Sequence, residues 1–306
     1  MRAFLLAAIV LPCLALAACR GAGEPVAELE VAPAEIGLQL GSFVELSLRI
    51  TPLADLPSGV VPQVFLHLID EPGSVLRTFD HTLPGEFRRG REIAYRVRIH
   101  QSAIAEPLAA GLYTLTAGLH DGAGGRFRLL SASPEVAKLE YAVATVGVPE
   151  PSPAVPGVRF SPEWLPVEPG QDRQIVARRP LAGAGPGTLQ IGPLQGPGEI
   201  LLRVGLPAAG SGRLESLAAD TTPKIRLHSS CGDFSAELSG EASADGSGVE
   251  LLIPVPATAG PVECDLRIEP NFLVRSGDEA EARSINVEIL AWRSGTADDS
   301  GTTPDE

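Results

Sequence analysis

Regular helical periodicity is missing from this sequence of 306 residues. The chain contains 28 Pro and 33 Gly, which interrupt every stretch long enough for an extended helix. Folds built on long helices are therefore excluded. Hydrophobic residues make up 44% of the chain, enough for packed cores, so a globally disordered protein is excluded as well. The length is typical of two domains.

Basic residues are also few relative to acidic ones. The chain has 24 Lys and Arg against 38 Asp and Glu, a formal net charge of −14. Nucleic acids are bound by clustered basic side chains, so we expect no nucleic acid partner. The same acidity disfavours docking on an anionic lipid surface.

Signatures of catalysis are absent. The sequence contains no nucleophile elbow, no His-Glu-x-x-His, no phosphate-binding loop and no dinucleotide fingerprint. We therefore expect a protein that is not an enzyme and carries no cofactor. A dispersed carboxylate pair, as in an envelope hydrolase, stays open as a third alternative.

Histidine and aspartate pairs follow several predicted strands of the first half. They would form a metal site if the strand ends met, but their spacing matches no standard signature. We predict that these side chains cap turns instead and that no metal is bound. The pairs are His67 with Asp70, Asp80 with His81, and His120 with Asp121.

The N-terminal segment 1–18 carries a single charge, Arg2, and is otherwise almost wholly apolar. Leu16-Ala17-Ala18-Cys19 resembles the lipobox of bacterial lipoproteins, which implies cleavage before Cys19 and lipidation of its thiol. Arg20 then weakly favours delivery to the outer membrane over the inner one. Ordinary secretory cleavage after Ala17 is the alternative. A retained membrane helix is disfavoured, because the apolar run is shorter than the roughly 20 residues that span a bilayer.

Two of the four cysteines remain once the leader and Cys19 are set aside. Cys231 and Cys264 would lie in a compartment that permits disulfides, so we predict a bridge between them. Two buried free thiols are the alternative.

Alternation of apolar and polar residues dominates the first half. It is clearest in 44–50 and 92–100, and this period of two is typical of a strand with one buried face. At least seven short strands predict an antiparallel sandwich over 32–147. The predicted strands are 44–50, 64–70, 75–79, 92–100, 112–120, 126–130 and 138–146.

Part of this half resembles an immunoglobulin-like module of bacterial envelope and glycan-related proteins. The resemblance covers about residues 60–130 and departs at Ala110, where the family has Pro, and at His120, where it has Tyr. It implies that Tyr113 locks a corner of the sandwich. The residues that carry it are 67–70, 80–81, 110–115 and 118–121.

Four prolines in 149–156 predict a semi-rigid spacer of roughly 25 Å between two domains. Beyond it, 158–293 again shows short alternating segments, which predict a second sandwich or jelly roll. Its two ends resemble those of a galactose-binding-like sandwich in bacterial polysaccharide-associated proteins. The matching residues are Phe160, Trp164, Glu168, Gly170, Asp278, Arg283, Ile285 and Val287.

The complete prediction is an all-β chain with two antiparallel sandwiches after a cleaved signal peptide. The predicted segments are a leader at 1–18, a lipidated tether at 19–31, an immunoglobulin-like sandwich at 32–147, a linker at 148–157, a second sandwich at 158–293 and a disordered acidic tail at 294–306.

Candidate ligand-binding residues are few, because aromatic residues make up only 5% of the chain. Trp164 is a candidate for stacking a sugar ring; the alternative is that it fills one end of the second core. Arg96 and Arg98, with the 88–91 cluster, would contact an acidic sugar or a phosphate; the alternative is a solvated face balanced by nearby Glu.

We expect a lipid-anchored envelope protein that binds a glycan at the cell surface or in the periplasm. The alternative is a structural or assembly lipoprotein that contacts other envelope proteins.

Overall fold

The computed structural model describes residues 23–152, 156–170, 172–206, 213–216, 222–239, 248–275 and 282–295. The predicted leader with Cys19, Asp278 and the tail beyond Gly295 lie outside these residues. None of the described residues forms a helix long and apolar enough to cross a membrane.

The first half folds into two facing sheets. The strands are β1 (Ala27–Ala32), β2 (Glu35–Gly37), β3 (Phe43–Pro52), β4 (Gln63–Ile69), β5 (Val75–Thr78), β6 (His81–Thr82), β7 (Ile93–His100), β8 (Gly111–His120), β9 (Arg126–Phe127), β10 (Leu129–Leu130), β11 (Glu135–Ala137) and β12 (Glu140–Val148).

One sheet has the order β10-β1-β3-β7. The other has the order β11-β12-β8-β4-β5, with β2, β6 and β9 paired at its margins. Most pairs are antiparallel, but β1 runs parallel to β10 and β2 runs parallel to β12. The apolar residues of the alternating strands meet between the sheets; Leu46, Leu48 and Ile50 of β3 are at most 1% exposed. We call this unit, with its strands between 27 and 148, the first sandwich.

The last residues of the tether predicted at 19–31 are part of the first sandwich instead. Residues 27–31 belong to β1, whose Ala27 and Leu29 are buried and whose backbone pairs with β3 along its whole length. The alternating residues Ala27, Leu29 and Val31 form an inner face.

The second half forms another pair of sheets. The strands are β13 (Gly157–Phe160), β14 (Glu168–Pro169), β15 (Ala177–Ala182), β16 (Gly187–Leu194), β17 (Gly198–Gly205), β18 (Arg213–Ser216), β19 (Lys224–Ser229), β20 (Phe234–Ser239), β21 (Val249–Val255), β22 (Val262–Pro270), β23 (Phe272–Arg275) and β24 (Arg283–Ser294).

One of these sheets has the order β13-β16-β22-β19-β20, and the other β14-β15-β24-β17-β21 with β18 and β23 at its margin. All the pairs within them are antiparallel. A second apolar core fills the space between them, and Ile104 of the first half also belongs to it. We call this unit, with its strands between 157 and 294, the second sandwich. The predicted all-β class with antiparallel sheets in two sandwiches is confirmed.

Candidate functional site at the junction of the two sandwiches

The first sandwich contacts the second along the open edge of β24. β15 pairs with β24 only at residues 283–287, which leaves the later residues of β24 without a strand on that side. The first sandwich supplies the missing partners. Ala103 N donates to Leu290 O (2.7 Å), and Trp292 N donates to Gly41 O (2.8 Å). Backbone groups of one sandwich therefore complete a sheet of the other.

Gln101 holds the contacting segments of the first sandwich together. It is 2% exposed, and its backbone exchanges hydrogen bonds with Gly41 N (2.7 Å) and Ser42 O (2.9 Å). Its side chain donates to Leu38 O and accepts from Leu108 N. All four bonds fix the loops after β2 and β7 in one position, which is the position that β24 requires.

Gly41 must be glycine at this point. Its φ is +71°, and a Cβ placed on it would overlap the ring of Trp292. The ring of Trp292 therefore packs directly against backbone of the first sandwich.

An apolar cluster fills the centre of the junction. Phe43 of the first sandwich meets Leu201, Ile289 and Ala291 on the outer face of the second sandwich, together with Ile175. All five are less than 10% exposed. Burial of this apolar area favours docking of the two sandwiches but does not determine their orientation, because the hydrophobic effect is non-directional. The backbone hydrogen bonds to β24 fix where the first sandwich docks along that strand.

Ion pairs cross the rim of the junction. Glu45 of β3 lies 3.0 Å from Arg293 of β24, and Arg98 of β7 lies 3.0 Å from Glu250 of β21. Burial by itself would raise the pKa of Glu45, but the charges and hydrogen bonds of Arg293 and Arg98 outweigh it and hold that pKa below its usual value. Arg293 also covers the ring of Phe43 at 5.1 Å.

Ionisable side chains are also buried inside the junction. His100 is 9% exposed and packs edge-on against Phe79. Burial, reinforced by the positive charges of Arg203 and Arg77, lowers the pKa of His100 to about 3. Burial raises the pKa of Glu288 although Arg203 lies 3.0 Å away. Perturbed pKa values of this kind cluster at functional sites.

A cleft of about 740 Å³ opens beside the junction. Its walls include Phe43, Gln39, Gln195 and Trp292, and Pro149 and Pro156 of the connecting segment border it. Trp292 is only 6% exposed, so its ring offers no stacking face to a ligand in the cleft.

The predicted ligand-binding residues do not come together. Trp164 is 4% exposed within the second core, and its Nε1 donates to Thr188 O. Its ring is therefore not available to a sugar, and Trp164 fills part of the second core, as the alternative interpretation of this residue expected. Arg98 is bound between Glu45 and Glu250 at the junction. Arg96 remains accessible, with 68% of its side chain exposed.

The histidine and aspartate pairs of the first sandwich each have local partners. Oδ1 of Asp70 accepts from Ser74 N, and Oδ1 of Asp121 accepts from Ala123 N and Gly125 N, as turn caps do. His81 bonds Phe79 O and the Tyr95 hydroxyl. Over the described ranges no three such side chains converge in a geometry that would hold a metal.

His67 lies between two carboxylates on the outer face of β4. Its Nε2 is 3.4 Å from Asp80 and its Nδ1 is 3.5 Å from Glu140. The two ring nitrogens point in opposite directions, so the arrangement links strands and does not converge on a common ligand. Burial alone would raise the pKa of Glu140, but the hydrogen bonds of Thr116 and Arg126 and the charges of His67 and Arg126 lower it.

Two predicted structural links are present. Cys231 and Cys264 form a disulfide with their Cα atoms 5.3 Å apart, as predicted. The Tyr113 hydroxyl donates to Ala109 O at 2.7 Å, the bond that a corner-locking tyrosine makes.

The junction itself was not predicted from the sequence. One signal for it exists: Ile289-Leu290-Ala291-Trp292 is apolar at four consecutive positions, which indicates a strand buried on both faces. The proline segment pointed the other way, towards separated domains.

Comparisons with known proteins give fold likenesses only. No protein-family profile and no curated protein matches the chain. Among solved structures, the CARDB domain of a Pyrococcus furiosus protein in complex with di-metal ions has a TM-score of 0.25 and 16% identity, and the match covers 40% of this chain and 88% of that one.

Bacterial α2-macroglobulins match at similar levels. The Salmonella protein reacted with methylamine has a TM-score of 0.23 and 12% identity over 90% of this chain and 15% of that one. The trypsin-activated Escherichia coli protein has a TM-score of 0.24 and 13% identity over 89% and 16%. This chain thus spans about 15% of their length. The neighbours are β-sandwich domains, and likenesses this weak carry no argument about function.

Proposed function

We propose that this protein is a lipid-anchored, non-catalytic scaffold of the bacterial envelope, which presents two sandwiches as one rigid unit to other envelope proteins. The observation that carries the proposal is the junction. Its backbone bonds, apolar centre and ion pairs connect the sandwiches directly. A fixed relative position is useful to a scaffold, whereas two independent binding modules do not need it.

The lipid anchor rests on the resemblance at Leu16–Cys19 and on the disulfide. A bridge between Cys231 and Cys264 persists in an oxidising compartment, which an exported protein reaches. Lipidation at Cys19 would be the membrane contact, since the acidic chain is not attracted to anionic lipid.

Cell fractionation of Cys19→Ala tests the anchor. We expect the wild type in the outer-membrane fraction and the variant in the soluble envelope fraction. A Cys19→Ala protein that still partitions wholly with membranes would overturn the anchor, and Cys13→Ala serves as the matched control.

Cross-linking in cells tests the scaffold. Gly41→Ala disrupts the junction, whereas Gly59→Ala places the same substitution at another positive-φ glycine with open space around it. We expect specific cross-linked envelope proteins to be lost in Gly41→Ala and kept in Gly59→Ala. Equal cross-linking of both variants would show that the rigid pairing is not needed.

Glycan binding is the second candidate, and one depression favours it. The outer face of the β1-β3-β7 sheet carries a shallow groove of about 580 Å³ with small side chains on its floor. Arg96 borders it and is largely exposed. Arg49 and Glu30 pair across it at 3.1 Å and could exchange their bond for sugar hydroxyls. Binding on a glycan array that Arg96→Ala abolishes would favour this candidate over the scaffold.

A further inference from the structure

His100 occupies the end of β7, where the chain leaves the first sandwich to contact the second. Gln101, Ser102 and Ala103 follow it directly, and the last two bond to Leu290 of β24. His100 is therefore two and three residues away from the groups that bond to β24 of the second sandwich.

The charged groups around His100 would oppose a proton on its ring. Arg77 of β5 and Arg203 of β17 are the cations that act on it, one from each sandwich. The carboxylates at the junction are bound elsewhere: Glu288 to Arg203, Glu45 to Arg98 and Arg293, and Glu250 to Arg98. Within the described parts of the chain no carboxylate forms an ion pair with His100.

We propose that the junction is an acid-sensitive latch, in which protonation of His100 separates the two sandwiches while each keeps its own fold. Each sandwich has a core of its own, and the second core also receives Ile104 from the loop after β7, with Ala103 and Ala105 beside it. Separation therefore withdraws Ile104 and exposes the small apolar cluster around Phe43. The rigid scaffold proposed above does not need the junction to open, so this property goes beyond it.

The direction of the pH effect follows from where the proton binds. In the docked state the pKa of His100 is about 3, whereas an open junction returns the ring to water and to its usual pKa of about 6.5. The docked state is therefore most favoured above pH ~6.5. As the pH falls below that value, the equilibrium constant for opening rises by up to about tenfold per pH unit.

Other titratable groups act differently in this range. Glu288 opposes opening, because burial raises its pKa and acid therefore favours its docked form. The low pKa of Glu45 keeps the rim pairs charged until the solution is more acidic than the usual range for Glu. His81 also has a lowered pKa from burial, but its partners Phe79 and Tyr95 lie within the first sandwich.

Trp292 supplies a built-in reporter of the latch. The chain has two Trp, so Trp164→Phe leaves Trp292, packed on Gly41, as the single emitter. We would titrate this protein from pH 7.5 to 4.5 and record Trp emission, the radius of gyration by X-ray scattering, and far-ultraviolet circular dichroism.

We expect a red shift of Trp292 and a larger radius of gyration as the pH falls, with the strand signal unchanged. His100→Phe keeps an aromatic ring against Phe79 without a titrating group, and we expect both changes to vanish in it over this pH range. His100→Gln gives the same comparison if the Phe variant misfolds. His228→Gln, at an exposed histidine of the second sandwich, should behave like the parent.

Three results would overturn the latch. One is a parent protein whose emission and radius stay constant down to pH 4.5. Another is a pH response that persists with the same slope in His100→Phe and His100→Gln. Loss of the strand signal together with the red shift would show global unfolding and would also reject it.

Discussion

The two sandwiches carry different links in addition to their backbone pairing. The second has a disulfide from Cys231 to the fully buried Cys264 of β22. Among its described residues the first has no such link and uses tyrosine hydroxyls on backbone instead. Tyr141 Oη accepts from Leu129 N and donates to Leu129 O, both at 3.0 Å, and Tyr113 locks the corner before β8.

The two sandwiches are therefore stabilised by different chemistry, a covalent bond in the second and hydrogen bonds of tyrosine hydroxyls in the first. The tyrosines of the first sandwich act within the native state, by satisfying backbone groups where β10 runs parallel to its neighbour. The disulfide acts largely on the unfolded chain, whose freedom it restricts. The second sandwich should therefore respond to redox conditions and the first should not.

We expect removal of the disulfide to give the largest difference in stability between the two sandwiches. We expect Cys231→Ser with Cys264→Ser to lower the free energy of unfolding of the second sandwich by about 2–5 kcal/mol and to leave the first unchanged. Urea unfolding followed by hydrogen exchange of each sandwich measures this. Equal loss in both sandwiches would mean that they unfold as one unit.

Gly41→Ala comes next, because it tests whether the two stabilities are coupled. The substitution strains a residue with φ of +71° and drives a methyl group into Trp292, for a loss of about 2–4 kcal/mol. Gly59→Ala carries only the strain, so it should cost about 1–2 kcal/mol. Calorimetry should show the transitions of the two sandwiches further apart in Gly41→Ala than in Gly59→Ala; matching thermograms would contradict the contact.

The tyrosine links can be ranked by their burial. Tyr141→Phe leaves both backbone groups of Leu129 unpaired in the interior and should cost the first sandwich about 1–3 kcal/mol. Tyr113→Phe frees the exposed Ala109 carbonyl to water, so we expect about 0.5–1.5 kcal/mol. Chemical denaturation of both variants measures the two losses. A larger loss for Tyr113→Phe than for Tyr141→Phe would contradict the view that burial of the freed backbone groups determines the cost.

The smallest effects are expected from the arginines of β7. Arg98→Ala breaks pairs on both sides of the junction and should cost about 1 kcal/mol. Arg96→Ala removes a mostly exposed side chain 3.6 Å from Glu45, so we expect less than about 0.5 kcal/mol. A larger loss for Arg96 would require a partner that the junction does not show.

The sequence predicted the strands whose alternation reports burial directly. Residues 44–50 and 92–100 correspond closely to β3 and β7, because one buried face leaves a period of two in the chain. The pairing of Cys231 with Cys264 and the position of Tyr113 followed from compartment chemistry and from the resemblance.

Strands with weaker patterns were missed. β15 contains adjacent Arg178 and Arg179 and then Pro180, so no alternation is visible, yet it pairs with β24. β14 and β23 were missed as well, because two to four residues are too few for a period to emerge. Such strands form because a neighbouring edge is already present.

The junction could not be predicted from the sequence for a related reason. Glu45 and Arg293, or Arg98 and Glu250, meet only after both sandwiches have formed, and nothing near either residue signals its partner. Arg96 and Arg98 therefore read as one basic pair, although the fold exposes the first and binds the second. Local pattern reports which face is buried but not what covers it.

The completion of β24 by Gly41 and Ala103 bears on how this architecture can be inherited. A second sandwich transferred alone to another protein would carry an unpaired edge from residue 289 onward, the kind of edge that recruits foreign strands and promotes aggregation. The first sandwich would in turn lose the cover over Phe43. Recombination that splits the chain within 149–156 therefore yields one product with an unpaired strand edge and one with an uncovered apolar residue. The unit that can be exchanged between proteins is the two sandwiches together.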